Sequence, residues 1–158
     1  MSIDTLPETA TILLVEDNLD HAELVARSFR HSHTPNTIRH VADGRMALNY
    51  LFRREQYADE AQSPRPHVIL LDLRLPKVDG LEVLREIKES PQLCSIPVIV
   101  LTTSQTQRDI ARAYQHHANS YLVKPVEFAK FTQMIEDLNT YWLQWNWQPS
   151  GAEISGQA

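Results

Sequence analysis

Short apolar runs rich in β-branched residues alternate with longer stretches whose apolar residues repeat at helical spacing. The runs have the length of buried strands, and the stretches between them have the length of helices. Strands that alternate with helices form a parallel sheet with helices on both faces. The five predicted strands are residues 11–15, 37–41, 68–71, 98–101 and 121–123. The sequence therefore predicts an α/β fold.

The stretches between the strands carry helix signals. Two Asp-Gly pairs, at 43–44 and 79–80, predict capped starts for the second and third helices, because Asp accepts hydrogen bonds from the first free amides of a helix. The first and fourth helices each have a face at i, i+3, i+4 and i+7, formed by Ala22, Val25, Ala26 and Phe29 and by Ile110, Ala113, Tyr114 and His117.

The last predicted helix is extended and aromatic. It begins near Val126 and, at about 5.4 Å per turn, is long enough to pass the edge of a small domain. Large aromatic residues in its last turns would be exposed in a monomer, and exposed apolar patches mark interfaces. We therefore expect the aromatic tail to pack in a homodimer; its residues are Tyr141, Trp142, Trp145 and Trp147.

A chain of 158 residues with 42% apolar residues supports one domain with a core. We expect residues 1–9 to be a flexible start, residues 10–148 to form the domain with its extended helix, and residues 149–158 to be a disordered tail. Residues 56–67, which include prolines and several charges, are predicted to form an exposed loop that leads into the third strand.

Charge and cysteine content exclude several classes of function. Nucleic-acid binding needs clustered Lys and Arg, whereas this chain has a net charge of −5 and no basic block. The single cysteine, Cys94, offers neither a disulfide framework nor a paired zinc motif. No run approaches the roughly 18 apolar residues of a membrane span. We expect a cytoplasmic protein without a nucleic-acid or membrane partner.

Four of the five predicted strands end on side chains that carry chemistry. Glu16 and Asp17 follow the first strand, Asp72 ends the third, Thr102 follows the fourth and Lys124 follows the fifth. Singly, each would be an ordinary cap or surface charge. Because the carboxyl ends of parallel strands open on one edge of the sheet, the five residues together predict a single site.

Three clustered carboxylates repel each other and call for a cation. Mg²⁺ prefers oxygen ligands, usually one or two carboxylates with waters and phosphate oxygens. We expect Asp17 and Asp72 to bind it directly and Glu16 to contribute through water. The other Asp72 oxygen can then attack an activated phosphoryl group, while Lys124 and Thr102 neutralise and hydrogen-bond the phosphoryl oxygens.

Five motifs in this order resemble the receiver domain of bacterial two-component response regulators. They are Val15-Glu16-Asp17-Asn18, Leu70-Leu71-Asp72 with Leu75-Pro76 and Asp79-Gly80, Leu101-Thr102-Thr103, and Tyr121-Leu122-Val123-Lys124-Pro125. The resemblance implies a flavodoxin-like (βα)5 sheet with strand order 2-1-3-4-5. It also implies that Asp72 accepts a phosphoryl group from a histidine kinase. The Mg²⁺ ligands that it implies are Glu16, Asp17, Asp72 and the backbone carbonyl of Arg74.

The same resemblance implies a route for the signal. Thr102 and Tyr121 would report phosphorylation to the surface of helix four, strand five and helix five, which would form the homodimer together with the aromatic tail. The chain would be no enzyme in the usual sense, since it would catalyse only its own phosphorylation and dephosphorylation.

Finer details resemble the small response regulators paired with cyanobacterial phytochromes. These details are Ser63-Pro64-Arg65-Pro66, Leu75-Pro76-Lys77, the stretch His117-Ala118-Asn119 and the aromatic tail. They imply a stand-alone receiver that is phosphorylated by a light-sensing histidine kinase.

Three positions concern the local geometry around the site and the end of the fourth helix. By the resemblance, the peptide bond between Lys124 and Pro125 would be cis. Thr103 stands where receivers usually have a smaller residue, which would narrow access to the phosphoryl site. His117 stands where many receivers have Gly, which leaves Asn119 as the residue expected to adopt a left-handed cap.

Two other functions stay open on sequence alone. A Mg²⁺-dependent phosphatase with an aspartyl nucleophile, of the haloacid dehalogenase type, needs a second acid two residues after Asp72, where Arg74 stands. A scaffold that keeps the fold without being phosphorylated would not need the acidic pair or Lys124.

Overall fold

Five strands form one parallel sheet in the middle of the protein. They are β1 Ala10–Val15, β2 Asn36–Val41, β3 Val68–Leu71, β4 Val98–Thr102 and β5 Ser120–Val123. Their order is β2-β1-β3-β4-β5, so the predicted α/β class and the flavodoxin-like order 2-1-3-4-5 are confirmed. The computed structural model describes residues 9–148, and the predictions for residues 1–8 and for a tail at 149–158 lie outside the described residues.

Five helices connect and follow the strands. They are α1 Leu19–Arg30, α2 Gly44–Leu51, α3 Gly80–Glu89, α4 Gln107–Gln115 and α5 Phe128–Thr140, and a π-helical turn at Tyr141–Trp145 continues α5. The two predicted Asp caps are confirmed: the Asp43 side chain accepts from the Met46 amide, and that of Asp79 accepts from the Leu81 amide. The loop before β3 contains two short 3₁₀ turns, Glu55–Tyr57 and Glu60–Gln62.

Alternate residues of the central strands pack on opposite faces of the sheet. Leu13 and Ile69 belong to the core cluster formed with α2, α3 and α4, whereas Leu14 and Leu70 belong to the cluster formed with α1 and α5. Strands β1 and β3 are therefore buried on both faces, which explains why their sequences are unbroken apolar runs.

The connection from α4 to β5 corrects one expectation. His117, and not Asn119, adopts the left-handed conformation, with φ of 68°. Histidine is among the residues that visit this region most readily. The Asn119 side chain is occupied elsewhere, because its Oδ1 accepts from the Val98 amide at 2.8 Å and from Lys88 Nζ at 3.2 Å.

The peptide bond between Lys124 and Pro125 is trans, so the expected cis bond is wrong. Trans is the ordinary isomer before proline, favoured by about 0.5–1 kcal/mol. The backbone amide of Lys124 still donates to the Thr102 carbonyl, at 2.7 Å, which holds the end of β5 against β4.

The aromatic tail divides between two environments. Trp142 packs against the core cluster beside α1 and α5. By contrast, Tyr141, Trp145 and Trp147 are 55%, 71% and 95% exposed. Beyond the helix, Gln148 Nε2 donates to the His67 carbonyl at 2.8 Å, so the chain returns to the start of β3. Within residues 9–148, no helix has the length and apolar character needed to cross a membrane.

Candidate functional site

Four predicted side chains meet in one pocket at the carboxyl edge of the sheet. Lys124, which follows β5, donates from Nζ to Glu16 Oε1 at 2.6 Å and to Asp72 Oδ2 at 2.9 Å. Thr102, at the end of β4, is close enough for its hydroxyl to lower the pKa of the Asp72 carboxyl. All four residues are buried, with Lys124 only 4% exposed. The predicted convergence of strand ends is therefore present in the structure.

Asp72 is held as a carboxylate. Burial by itself raises the pKa of this group, but the Lys124 ammonium, the Arg74 amide and the Thr102 hydroxyl outweigh burial and hold the pKa below its ordinary value. The Arg74 amide donates to Asp72 Oδ1 at 3.1 Å. An ionised carboxylate in a pocket that excludes most water is a competent nucleophile.

Glu16 shares the same lysine but behaves differently. Its burial raises its pKa to about 7 and outweighs the hydrogen bond from Lys124. Glu16 is 1% exposed, against 6% for Asp72, and the Asn18 amide is its backbone hydrogen-bond donor, at 3.1 Å. The two carboxylates share one ammonium group, but their different environments shift their pKa values in opposite directions.

An acidic cluster forms the open side of the pocket. Glu16, Asp17 and Asp72 each offer a carboxylate oxygen, and these three oxygens lie within 4.8 Å of one another. Asp17 is exposed, so the cluster is reachable from solvent. A set of hard oxygen donors fits a divalent cation such as Mg²⁺ or Mn²⁺.

A second polar cluster, which the sequence did not predict, lies beside the pocket. Asp109, in the first turn of α4, is 6% exposed and accepts hydrogen bonds through Oδ2 from Ser104 Oγ and Arg74 Nη2, both at 2.5 Å. The Tyr121 hydroxyl donates to the Ser104 carbonyl at 2.9 Å. Because an acid in a first helical turn usually complements the helix dipole, the sequence of α4 contains no signal for this cluster.

Two hydrogen-bonded routes join Asp72 to α4. One passes through Arg74, whose amide contacts Asp72 and whose guanidinium contacts Asp109. The other passes through Thr102, whose Oγ1 accepts weakly from the Ser104 amide at 3.4 Å, and Ser104 in turn contacts Asp109. Arg74 and Ser104 thus connect the phosphoacceptor candidate to a helix on the protein surface.

His21 is a further residue that the sequence reasoning missed. Its Nδ1 lies 3.0 Å from Lys124 Nζ, which makes it the third contact of that ammonium group. No spacing motif marks His21, because it lies in the middle of the first turn of α1. Thr103, next to Thr102, is exposed, and its effect on access to the pocket stays a prediction.

A family model for the response regulator receiver domain matches residues 12–136. The chain belongs to this family. Phosphorylation on an aspartate is general among receivers, and receiver domains bind a divalent metal. They act in signalling and are generally not enzymes.

Close relatives of this receiver span nearly its full length. FilR2 of Methanothrix harundinacea, a probable methanogenesis regulatory protein, is 48% identical over 89% of this chain and 88% of its own. Response regulator Rcp1 of Synechocystis sp. is 41% identical over 84% of this chain and 88% of its own.

Two crystal structures resemble this receiver closely. The Mn²⁺-bound form of Rcp1 has a TM-score of 0.85 and 39% identity, covering 89% of this chain and 99% of that one. The phosphorylated cyanobacterial phytochrome response regulator RcpA has a TM-score of 0.86 and 39% identity, covering 90% of this chain and 100% of that one. This receiver is therefore related to the phytochrome response regulators.

The second polar cluster leads to a prediction about stability. We expect Asp109→Ala to lower the free energy of unfolding by about 1–3 kcal/mol, because the buried Ser104 hydroxyl and the Arg74 guanidinium lose a charged partner. Urea denaturation measures the change. The matched control is Arg108→Ala, at the exposed neighbouring position, for which we expect a change below about 0.5 kcal/mol. Equal effects of the two substitutions would contradict the prediction.

Proposed function

We propose that this receiver accepts a phosphoryl group on Asp72 from a phosphohistidine of a sensor histidine kinase. One Asp72 oxygen attacks the phosphorus, the bond between phosphorus and the imidazole nitrogen breaks, and the electron pair stays on that nitrogen. The product is an acyl phosphate on Asp72. The observation that carries the proposal is the buried, ionised Asp72 carboxylate, held by Lys124, the Thr102 hydroxyl and the Arg74 amide.

Lys124 and Thr102 would stabilise the product. The phosphoryl group carries a charge of about −1.5 to −2 in place of −1. The proton that Lys124 donates to Asp72 can be redirected to a phosphoryl oxygen without moving the ammonium far, since the distance to Asp72 is already 2.9 Å. The Thr102 hydroxyl, which lowers the pKa of Asp72, can donate to a second oxygen.

The acidic cluster would bind one Mg²⁺ per receiver. The ligands that we propose are Glu16, Asp17, Asp72 and the backbone carbonyl of Arg74. The spacing of the three carboxylate oxygens supports the carboxylate ligands. The existence of a Mn²⁺-bound form of the relative Rcp1 supports a divalent cation in this receiver. When bound, such a cation neutralises negative charge on the carboxylates and on the phosphoryl oxygens.

Exposed apolar side chains beside the pocket would receive the kinase. Leu19, two residues after Asp17, is 70% exposed, and Phe128, four residues after Lys124, is 69% exposed. Val126, between Lys124 and Phe128, is fully exposed. Apolar groups that surround an acidic pocket would let a partner cover it while its phosphohistidine reaches Asp72.

A phosphatase that uses Asp72 as nucleophile is disfavoured by the position of Arg74. A second acid would have to stand there, and the Arg74 guanidinium is instead bonded to Asp109. A scaffold that is never phosphorylated would gain nothing from burying Lys124 between two carboxylates, since buried ion pairs are weak contributors to stability.

Labelling with a small phosphodonor tests the proposal. We expect ³²P from acetyl phosphate to be incorporated into the wild type in the presence of Mg²⁺, and not into Asp72→Asn, which keeps the shape of the side chain but removes the nucleophile. Chelation of the metal should abolish labelling. Asp137→Asn, at an exposed acid of α5, is the matched control and should be labelled as the wild type is. Equal labelling of Asp72→Asn would overturn the proposal, and sustained hydrolysis of p-nitrophenyl phosphate would favour a phosphatase.

We further propose that a phytochrome is the sensor. The support is the similarity to RcpA, which is a cyanobacterial phytochrome response regulator, and to Rcp1. FilR2, a probable methanogenesis regulatory protein at 48% identity, makes an input related to methanogenesis the alternative.

Phosphotransfer profiling separates these two inputs. When purified autophosphorylated kinases are offered to the receiver for short times, we expect the phytochrome kinase to transfer its label at least about tenfold faster than other kinases. The Asp72→Asn variant controls for transfer to other residues. Faster transfer from a kinase that is not a phytochrome would contradict the assignment to light sensing.

Homodimerisation through α4, β5, α5 and the aromatic tail would carry the output. Strand β5 lies at one edge of the described sheet, and beside it Leu122, Met134 and Leu138 line an apolar groove. The exposed rings of Tyr141 and Trp145 continue this surface along the last helix.

Trp145 is the better residue with which to test the dimer, because it is 71% exposed, whereas Trp142 packs against the core of its own subunit. We expect Trp145→Ala to shift the sedimentation mass towards the monomer, with an unchanged free energy of unfolding of the monomer. The matched control, Gln144→Ala, replaces an exposed neighbour in the same turn and should leave the mass unchanged. An unchanged dimer mass for Trp145→Ala would remove the tail from the interface.

A further inference from the structure

We propose that His21 is a positioning residue that orients the Lys124 ammonium group towards the phosphoryl group on Asp72. The inference rests on the proposed function of Asp72 as phosphoacceptor. It assigns a role to α1 beyond the acidic residues that precede it.

The hydrogen bonds of Lys124 suggest this role. An ammonium group has three protons to donate. In the structure, Nζ has three acceptors, namely Glu16 Oε1 at 2.6 Å, Asp72 Oδ2 at 2.9 Å and His21 Nδ1 at 3.0 Å. The acceptors come from the ends of β1 and β3 and from the first turn of α1, so they hold the ammonium from three sides.

His21 has the protonation state that an acceptor needs. Burial lowers its pKa, and the positive charge of Lys124 lowers it further, against the opposing effects of nearby carboxylates. The ring is therefore neutral at neutral pH. With Nδ1 facing an ammonium donor, the ring proton belongs on Nε2.

The ring is also fixed in direction. The His21 amide donates to the Asn18 side chain at 3.1 Å, which sets the start of α1. On its other side, the ring meets Phe131 of α5 edge to face, with ring centres 5.2 Å apart and an angle of 75° between the planes. Helix α1 thus presents Nδ1 to Lys124 from a supported position.

Only the bond that Lys124 donates to His21 has an acceptor that takes no part in the reaction. Phosphorylation converts the Asp72 carboxylate into an acyl phosphate, a mixed anhydride whose carboxyl oxygens carry less negative charge. Glu16 belongs to the acidic cluster, whose oxygens a divalent cation would share. Both carboxylates then attract the ammonium less strongly, whereas the His21 nitrogen remains available. It prevents the flexible lysine chain from leaving the position in which its redirected proton meets a phosphoryl oxygen.

A matched pair of substitutions separates this role from simple packing. Asn places a carbonyl oxygen, Oδ1, where His has Nδ1, and Leu places a methyl group there. Both remove the ring that contacts Phe131, so both change the packing alike. They differ in whether Lys124 keeps a third acceptor.

The first measurement is the rate of phosphorylation of full-length His21→Asn and His21→Leu by acetyl phosphate with Mg²⁺. We expect His21→Leu to be phosphorylated about tenfold more slowly at saturating phosphodonor, the size expected for one hydrogen bond to a charged group. His21→Asn should remain within about threefold of the wild type. Equal rates for the two variants would overturn the positioning role and leave a packing role only.

The second measurement does not depend on phosphorylation. We expect the ¹H–¹⁵N signal of the Lys124 Nζ protons to be protected from exchange with water in the wild type and in His21→Asn, and to lose protection in His21→Leu. Equal protection in the two variants would overturn the inference even if Asp72 is phosphorylated. A wild type that is not labelled would instead overturn the proposed function, and the exchange measurement would still decide whether His21 holds Lys124.

Discussion

One buried lysine, Lys124, joins the ends of β1, β3 and β5 to the first turn of α1 through its hydrogen bonds. Lys124 and its two carboxylate partners are almost fully removed from water, with side chains 2–8% exposed. Removing one member of such a group leaves an unpaired buried charge, which costs about 3–5 kcal/mol. The residues come from the ends of three different strands. The pocket therefore exists only when the parallel sheet is complete, and its chemistry depends on the whole fold.

Much of this arrangement could be predicted, because two simple constraints act on the sequence. A strand buried on both faces must be apolar throughout, and the predicted ends of the strands lie within about one residue of those observed. Parallel strands also bring their carboxyl ends to one edge, so Glu16, Asp72, Thr102 and Lys124 could be grouped without knowing any distance.

The contacts that the sequence did not predict are made by long side chains to residues far away in the sequence. The Arg74 guanidinium contacts a residue 35 positions away, and Lys124 contacts one 103 positions away, and neither contact follows from spacing. Asp109 and His21 both lie in first helical turns, where polar residues have ordinary local roles. Asn in general favours the left-handed conformation, so the sequence predicts it at Asn119, but the side chain of Asn119 instead accepts from the Val98 amide of β4. At Asn119, the tertiary hydrogen bond to β4 therefore outweighs the local conformational preference of the residue.

The return of the chain from the last helix to the start of β3 has a mechanical consequence. Gln148 is bonded to the residue that precedes β3, while Asp72 follows the other end of the same strand. The aromatic segment is thus held at two points, by Trp142, which packs against the core, and by Gln148, which is bonded to His67 before β3. In the proposed dimer, the segment that joins the two subunits would therefore be held by its own subunit at both of these points. A displacement of β3 would then displace the joining surface with it.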